Sequence, residues 1–210
     1  MLSFSPVPPD ATPRGDEPLN ALPDPLPEMD AMRGSIFVLD WRWLRENGHF
    51  DAYVAGLGER RDVLDATAAE WVDMPRVLAH YRAFDSLGLT LSEAFEVGRT
   101  VGPRIHGAVL NTLVRLAGSL GVGPLVVMKQ SYKLWVRSFR GGGVATFKTG
   151  ERSARVEIRR SAIAESKFLR ASFAGVTAAS IAPFCKNPVV QERVESRGRN
   201  AFGLRLSWDA

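Results

Sequence analysis

Cysteine is almost missing from this chain: among 210 residues only Cys185 occurs. An internal disulfide and a cysteine-based metal cluster are thereby excluded, in agreement with a reducing compartment. Histidine is scarce too. His49, His80 and His106 show no HExxH or HxH spacing and have no cysteine beside them, so the sequence implies no metal site. No stretch approaches the ~18 uninterrupted apolar residues of a membrane span. The start, Met1-Leu2-Ser3-Phe4-Ser5-Pro6, has neither a basic nor an apolar leader region. The expectation is a protein neither secreted nor membrane-spanning, with the cytoplasm as its address. Catalytic motifs are lacking as well. There is no GxSxG elbow, and Cys185 has no local base, which favours a small buried thiol over a nucleophile. Gly141-Gly142-Gly143 follows a helical pattern and precedes a strand pattern, the reverse of a phosphate-binding loop, and no Lys-Ser/Thr follows it. Enzyme activity is the least supported reading, and a non-enzymatic protein is expected.

What is present is an ordinary globular composition, 45% hydrophobic and 24% charged, enough for one sizeable core. The net charge of +4 conceals an asymmetry. Residues 1–100 carry 9 Lys/Arg against 17 Asp/Glu, and residues 101–210 carry 18 against 6. Two such halves attract each other, within one chain or between copies, and any basic excess is available to an anionic partner. Residues 1–33 contain eight prolines from Pro6 to Pro27 among acidic and small residues. Such a segment buries too little to offset its ordering entropy and is expected to be a disordered arm before a single domain at 34–210.

Within that domain Ser35–Leu39 is an apolar run rich in β-formers, and Asp40 is placed to cap the helical turn after it. Helices are expected at 49–57, at 59–71 and after Asp73-Met74-Pro75. Thr90-Leu91-Ser92-Glu93 is a capping box opening the longest helical stretch, which Gly102-Pro103 should kink or divide. A further amphipathic helix spans 125–140. Period-two patterns follow at 144–159, a helix containing Gly175 at 166–184, and a closing hairpin at 189–208. The fold class is therefore α+β, a helical layer packed on an antiparallel sheet of about four strands formed by two C-terminal hairpins.

Two groups of residues carry functional expectations. Lys129 to Arg170 holds eleven Lys/Arg, with Lys129, Lys133 and Arg137 recurring on one helix face and Arg155 and Arg159 on the polar face of a strand. They form a candidate surface for an acidic protein. Nucleic acid is disfavoured because Tyr132, Trp135 and Phe139 fall on the apolar face and no nucleic-acid-binding signature occurs. The second group, Val101, Ile105, His106, Trp135, Phe139 and Phe173, comprises the candidate lining of an apolar cavity between the long helix and the sheet. Plain core packing is the simpler account of each.

Phe37-Val38-x-x-Trp41-x-Trp43-Leu44, Gly98 with Gly102, Trp135 before Gly141-Gly142, Phe173-x-Gly175 followed by Cys185, and Leu204-x-Leu206-x-Trp208 together carry a resemblance. On these residues the chain from Gly34 to Trp208 resembles a myxobacterial paralogous family, a domain of unknown function with no activity to carry over. Its layout is similar to that of vinyl-reductase-type sensor domains and, more distantly, of haem–nitric oxide sensor domains and trafficking-complex subunits. The resemblance implies a cavity between helices and sheet. It does not imply zinc, because vinyl-reductase-type sensors use several cysteines. Haem–nitric oxide sensors carry Tyr-x-Ser-x-Arg, which Ser131-Tyr132-Lys133-Leu134-Trp135 does not match. The leading expectation is a sensory or regulatory domain, a homodimer, that binds a small apolar ligand. The alternatives are an adaptor whose basic surface binds an acidic protein or nucleic acid, and a haem-based gas sensor using His106 as ligand.

Overall fold

The computed structural model describes residues 15–104, 123–198 and 200–209. Its main sheet is antiparallel, with strand order β1-β5-β6-β8-β7, formed by β1 (Glu17–Pro18), β5 (Gly143–Gly150), β6 (Ser153–Arg159), β7 (Lys186–Gly198) and β8 (Ala201–Asp209). The two expected hairpins are its centre. Val156 faces both Thr146 and Leu204 in register, and Ile158 faces Val144 and Phe202. Alternation decides which side is wet: Phe202, Leu204, Leu206 and Trp208 are buried, while Arg205, Ser207 and Asp209 are exposed.

A small second sheet, ordered β3-β2-β4, consists of β2 (Ala31–Arg33), β3 (Trp71–Asp73) and β4 (Phe139–Arg140). Helices α1 (Gly34–Glu46), α2 (Phe50–Leu57) and α3 (Met74–Ser86) pack around it. The expected strand at Ser35–Leu39 is instead the first part of α1. Ile36, Phe37, Asp40, Trp41 and Leu44 recur at helical spacing and are all buried, so the run belongs to a helix face and the strand lies just before it. The helix expected at 59–71 is likewise replaced, by a 3-10 turn at Arg61–Asp65 and the extended β3, because only Val63 and Ala66 there need burial before Trp71.

The caps behave as local chemistry dictates. Asp73 accepts from the Arg76 N–H at 3.0 Å to start α3. Thr90 and Glu93 form the reciprocal capping box, with Thr90 N–H to Glu93 Oε2 at 2.8 Å and Glu93 N–H to Thr90 Oγ1 at 3.2 Å. The helix they open, α4 (91–104 as described), runs through Gly102-Pro103 without dividing there. The stretch expected as one helix at 125–140 is two, α5 (Pro124–Lys129) and α6 (Ser131–Ser138), which then passes directly into β4.

Helix α7 (Lys167–Ile181) lies between α4 and the sheet. Phe173 meets Phe202 edge-on at 5.7 Å, anchoring α7 to the sheet face. Its small residue Gly175 faces α4. A Cβ on Gly175 would lie 2.0 Å from the Phe95 carbonyl oxygen, and one on Gly98 would lie 1.8 Å from that of Ser172. The two backbones are in contact, and only glycine permits it.

Residues 15–33 depart from the expected disordered arm. Glu17–Pro18 pairs with β5, Met29 is buried, and the Gly142 N–H donates to the Pro27 carbonyl at 2.9 Å. Gly141, at φ +69°, lets this segment pass, since a side chain there would strike Glu28. The attraction anticipated from the charge asymmetry operates here. Asp16 pairs with Arg155 at 2.7 Å, Glu28 with Arg160 at 2.9 Å and Asp30 with Arg140 at 2.6 Å.

Candidate functional site

Two cavities of ≈ 60 Å³ each lie against α7, the first between it and α1, α3 and α4, the second between it and α5, α6 and the main sheet. Phe139, Phe173 and Val176 line both, so they share a wall. Of the residues expected to line a cavity, Val101 borders the first, Trp135 the second, and Phe139 and Phe173 both. Ile105 and His106 lie outside the described residues. Trp135 is held by two contacts: its ring stacks on Phe139 at 4.1 Å, and its indole N–H donates to the Gly141 carbonyl at 3.0 Å.

The second cavity is walled mainly by apolar groups, among them Met128, Val144 and Val156, whereas the first has an acid in its wall. Asp40, only 6% exposed, occupies a core position on α1 between Phe37 and Leu44. Its Oδ2 lies 3.1 Å from Nε2 of the fully buried His80 on α3. His80 Nδ1 lies 2.7 Å from the Tyr53 hydroxyl of α2, which also accepts from the Trp41 indole N–H at 3.2 Å. Rings close the network from the sides, with Phe37 at 4.2 Å and Phe84 at 5.0 Å from the imidazole.

Burial pushes the Asp40 carboxyl above its ordinary range, and the His80 hydrogen bond only partly offsets this. Burial likewise drives the Tyr53 phenol upward, so it keeps its proton. The proton positions follow from what each group can donate. Trp41 can only donate, so Tyr53 oxygen accepts from it. The Tyr53 hydroxyl hydrogen then needs an acceptor, and His80 Nδ1 is the one within reach. With Nδ1 accepting from Tyr53, Nε2–H is the ring donor that faces Asp40 Oδ2.

Sequence reasoning missed this network. Local pattern makes Asp40 a helix cap and gives His80 no partner, although each breaks an apolar stripe, Phe37-Asp40-Trp41-Leu44 and Val77-His80-Tyr81-Phe84. A polar residue inside such a stripe was the available signal.

The proposed anionic-partner residues do not form one free patch. Lys129, Lys133 and Arg137 are exposed on α5 and α6. Arg155 is largely buried between Asp16 and Glu157 with its guanidinium 4.1 Å over the Phe147 ring, and Arg159 also pairs with Glu157. Cys185 donates to the Ile181 carbonyl, and burial raises its thiol above the ordinary range, away from thiolate reactivity. Among the described residues no three His, Cys, Asp or Glu side chains converge as a metal site, and no helix is long and apolar enough to cross a membrane.

The architecture defined by these elements is similar to that of H-NOX domains. An oxygen-binding H-NOX domain related to soluble guanylate cyclases, in its oxygen complex, superposes with a TM-score of 0.51 at 17% identity, over 85% of this chain and 96% of that one. A mutant of the Fe(II) unliganded H-NOX protein from K. algicida gives 0.58 at 8% identity, over 85% and 97%. A mutant H-NOX from T. tengcongensis gives 0.50 at 18% identity, over 85% and 98%. At these identities the likeness establishes the fold. No protein-family model matches the chain, and no curated protein matches it convincingly.

Proposed function

We propose that this chain is a non-enzymatic sensory domain that takes a small apolar ligand in the cavities beside α7. The observation that carries the reading is the pair of adjoining cavities sharing Phe139, Phe173 and Val176. Walls of this kind favour an apolar guest, and the likeness in fold to gas-binding domains supports a small one. Xenon-dependent shifts of the Val101 and Val176 methyl resonances test it directly. The expected result is a saturable shift confined to these walls, and an unresponsive interior overturns the reading. Native mass spectrometry of protein purified from its own host then identifies the guest.

A haem-based sensor is the second reading, favoured by structural neighbours described by their heme distortion and heme redox potential. The described residues do not fit that group. No histidine or cysteine among them lines either cavity, and His80 has both ring nitrogens engaged. Each volume is far below that of a porphyrin. The haem reading thus stands on His106, outside the described residues. A Soret band after haem reconstitution that His106→Ala abolishes supports it, and the absence of any Soret band removes it.

A further inference from the structure

The first cavity has chemically unlike ends. Val97, Val101, Phe139, Phe168 and Phe173 supply apolar walls, and among the described residues Asp40 supplies the one carboxyl. Its Oδ2 is taken by His80, whereas no hydrogen bond reaches Oδ1 from any described residue. Oδ1 is therefore a buried carboxyl oxygen at the cavity wall with no hydrogen-bond partner among the described residues. Such an oxygen is best matched by a cation with a hydrogen-bond donor, because that partner supplies the missing bond and offsets the burial of a carboxylate charge.

We propose that the first cavity is a binding site for a small organic cation, an apolar body of a few heavy atoms bearing an ammonium-type donor directed at Asp40. Size agrees with this class: an engineered cavity of roughly 150 Å³ holds benzene, so ≈ 60 Å³ suits a guest about half that size. The proposal rests on the ligand-cavity reading above and adds the chemistry of its polar end.

Three probes of equal heavy-atom count separate the terms: propan-2-amine is a cationic donor at neutral pH, propan-2-ol a neutral donor and acetone an acceptor only. Titrated into the full chain and followed at the Val97, Val101 and Val176 methyl resonances, the amine is expected to bind about tenfold or more tightly than acetone, as a charge-assisted bond requires, with the alcohol between them. Asp40→Asn retains the size and an acceptor for His80 but presents a donor to the cavity, so the amine is expected to lose its advantage and acetone to gain. The wild-type series decides the matter even where the variant fails to fold. Alcohol or acetone binding as tightly as the amine overturns the proposal. A response to xenon with none to the amine also overturns it while leaving the apolar-ligand reading intact, and silence toward all probes removes both.

Discussion

At the scale of single residues, Asp40 makes stability depend on pH in a direction opposite to most carboxylates. Its folded pKa is raised above the ordinary 3.8 chiefly by burial. Below 3.8 the group is protonated in both folded and unfolded chains, and its contribution is at its most favourable. As pH rises through the raised value that contribution is lost, because the buried charge is disfavoured in the folded state. Asp40→Asn lacks this titration. The stability of the variant relative to wild type, from urea unfolding at a series of pH values, is therefore expected to increase as pH rises from acid to neutral. Tyr53→Phe tests the rest of the network. It leaves the Trp41 N–H and His80 Nδ1 unpartnered in a dry interior, and a loss of roughly 1–3 kcal/mol is expected by the same measurement. A change within a few tenths of a kcal/mol shows that the hydroxyl is dispensable. The sequence shows that Asp40 and His80 interrupt apolar stripes. It does not show that the two interruptions meet, since forty residues separate them and only the packing of α1 on α3 brings them within bonding distance.

Between elements, the decisive contact is the crossing of α4 and α7. A Cβ at Gly98 or Gly175 collides with backbone, which cannot rotate away as a flexible side chain does. Gly175→Ala is expected to separate the helices and to cost roughly 1–3 kcal/mol or more in stability. Because Val97, Val101, Ser172 and Val176 flank this crossing and line the first cavity, the same substitution is expected to alter xenon binding there; unchanged binding shows that cavity and crossing are independent. The capping box is a smaller, separable contribution. Thr90→Ala removes the acceptor for the Glu93 N–H and is expected to cost ~1 kcal/mol, seen in the denaturant midpoint. That box was fully legible, because its chemistry is completed within four residues. Gly98, Gly102 and Gly175 are equally visible in the sequence, yet nothing near them in the chain names α4 and α7 as the pair they bring together. A glycine announces that something comes close without saying what.

For the whole molecule, the acidic N-terminal segment neutralises the basic sheet from outside. Asp16, Glu28 and Asp30 engage Arg155, Arg160 and Arg140, with Glu17 3.8 Å from Lys148. Most of these pairs are exposed and individually weak. The segment matters more by pairing β1 on β5 and burying Met29. Truncation of residues 1–30 removes six acidic side chains and one basic one, taking the net charge from +4 to +9. The shortened chain is expected to melt at lower temperature and to elute from a cation exchanger at higher salt than its net charge alone predicts, since Arg140 on β4, Arg155 on β6 and Arg160 just after β6 lose their acidic partners together. Elution that follows net charge alone shows that the segment does not mask that surface. Proline content points to disorder here because composition weighs a segment's own burial, whereas residues 15–33 take their order from strands formed about 40 to 140 residues later.

The sequence by itself determined the α+β class, both C-terminal hairpins and the caps of α3 and α4, because strand alternation and capping are satisfied by neighbours within a few positions. Tertiary structure alone decided that Ser35–Leu39 coils into a helix, that the acidic segment is strapped to the sheet, and that Trp41, Tyr53, His80 and Asp40 form one hydrogen-bonded line ending at a cavity. Each of these depends on surfaces distant in the chain, where the free energy of burial and of satisfying polar groups outweighs local preference.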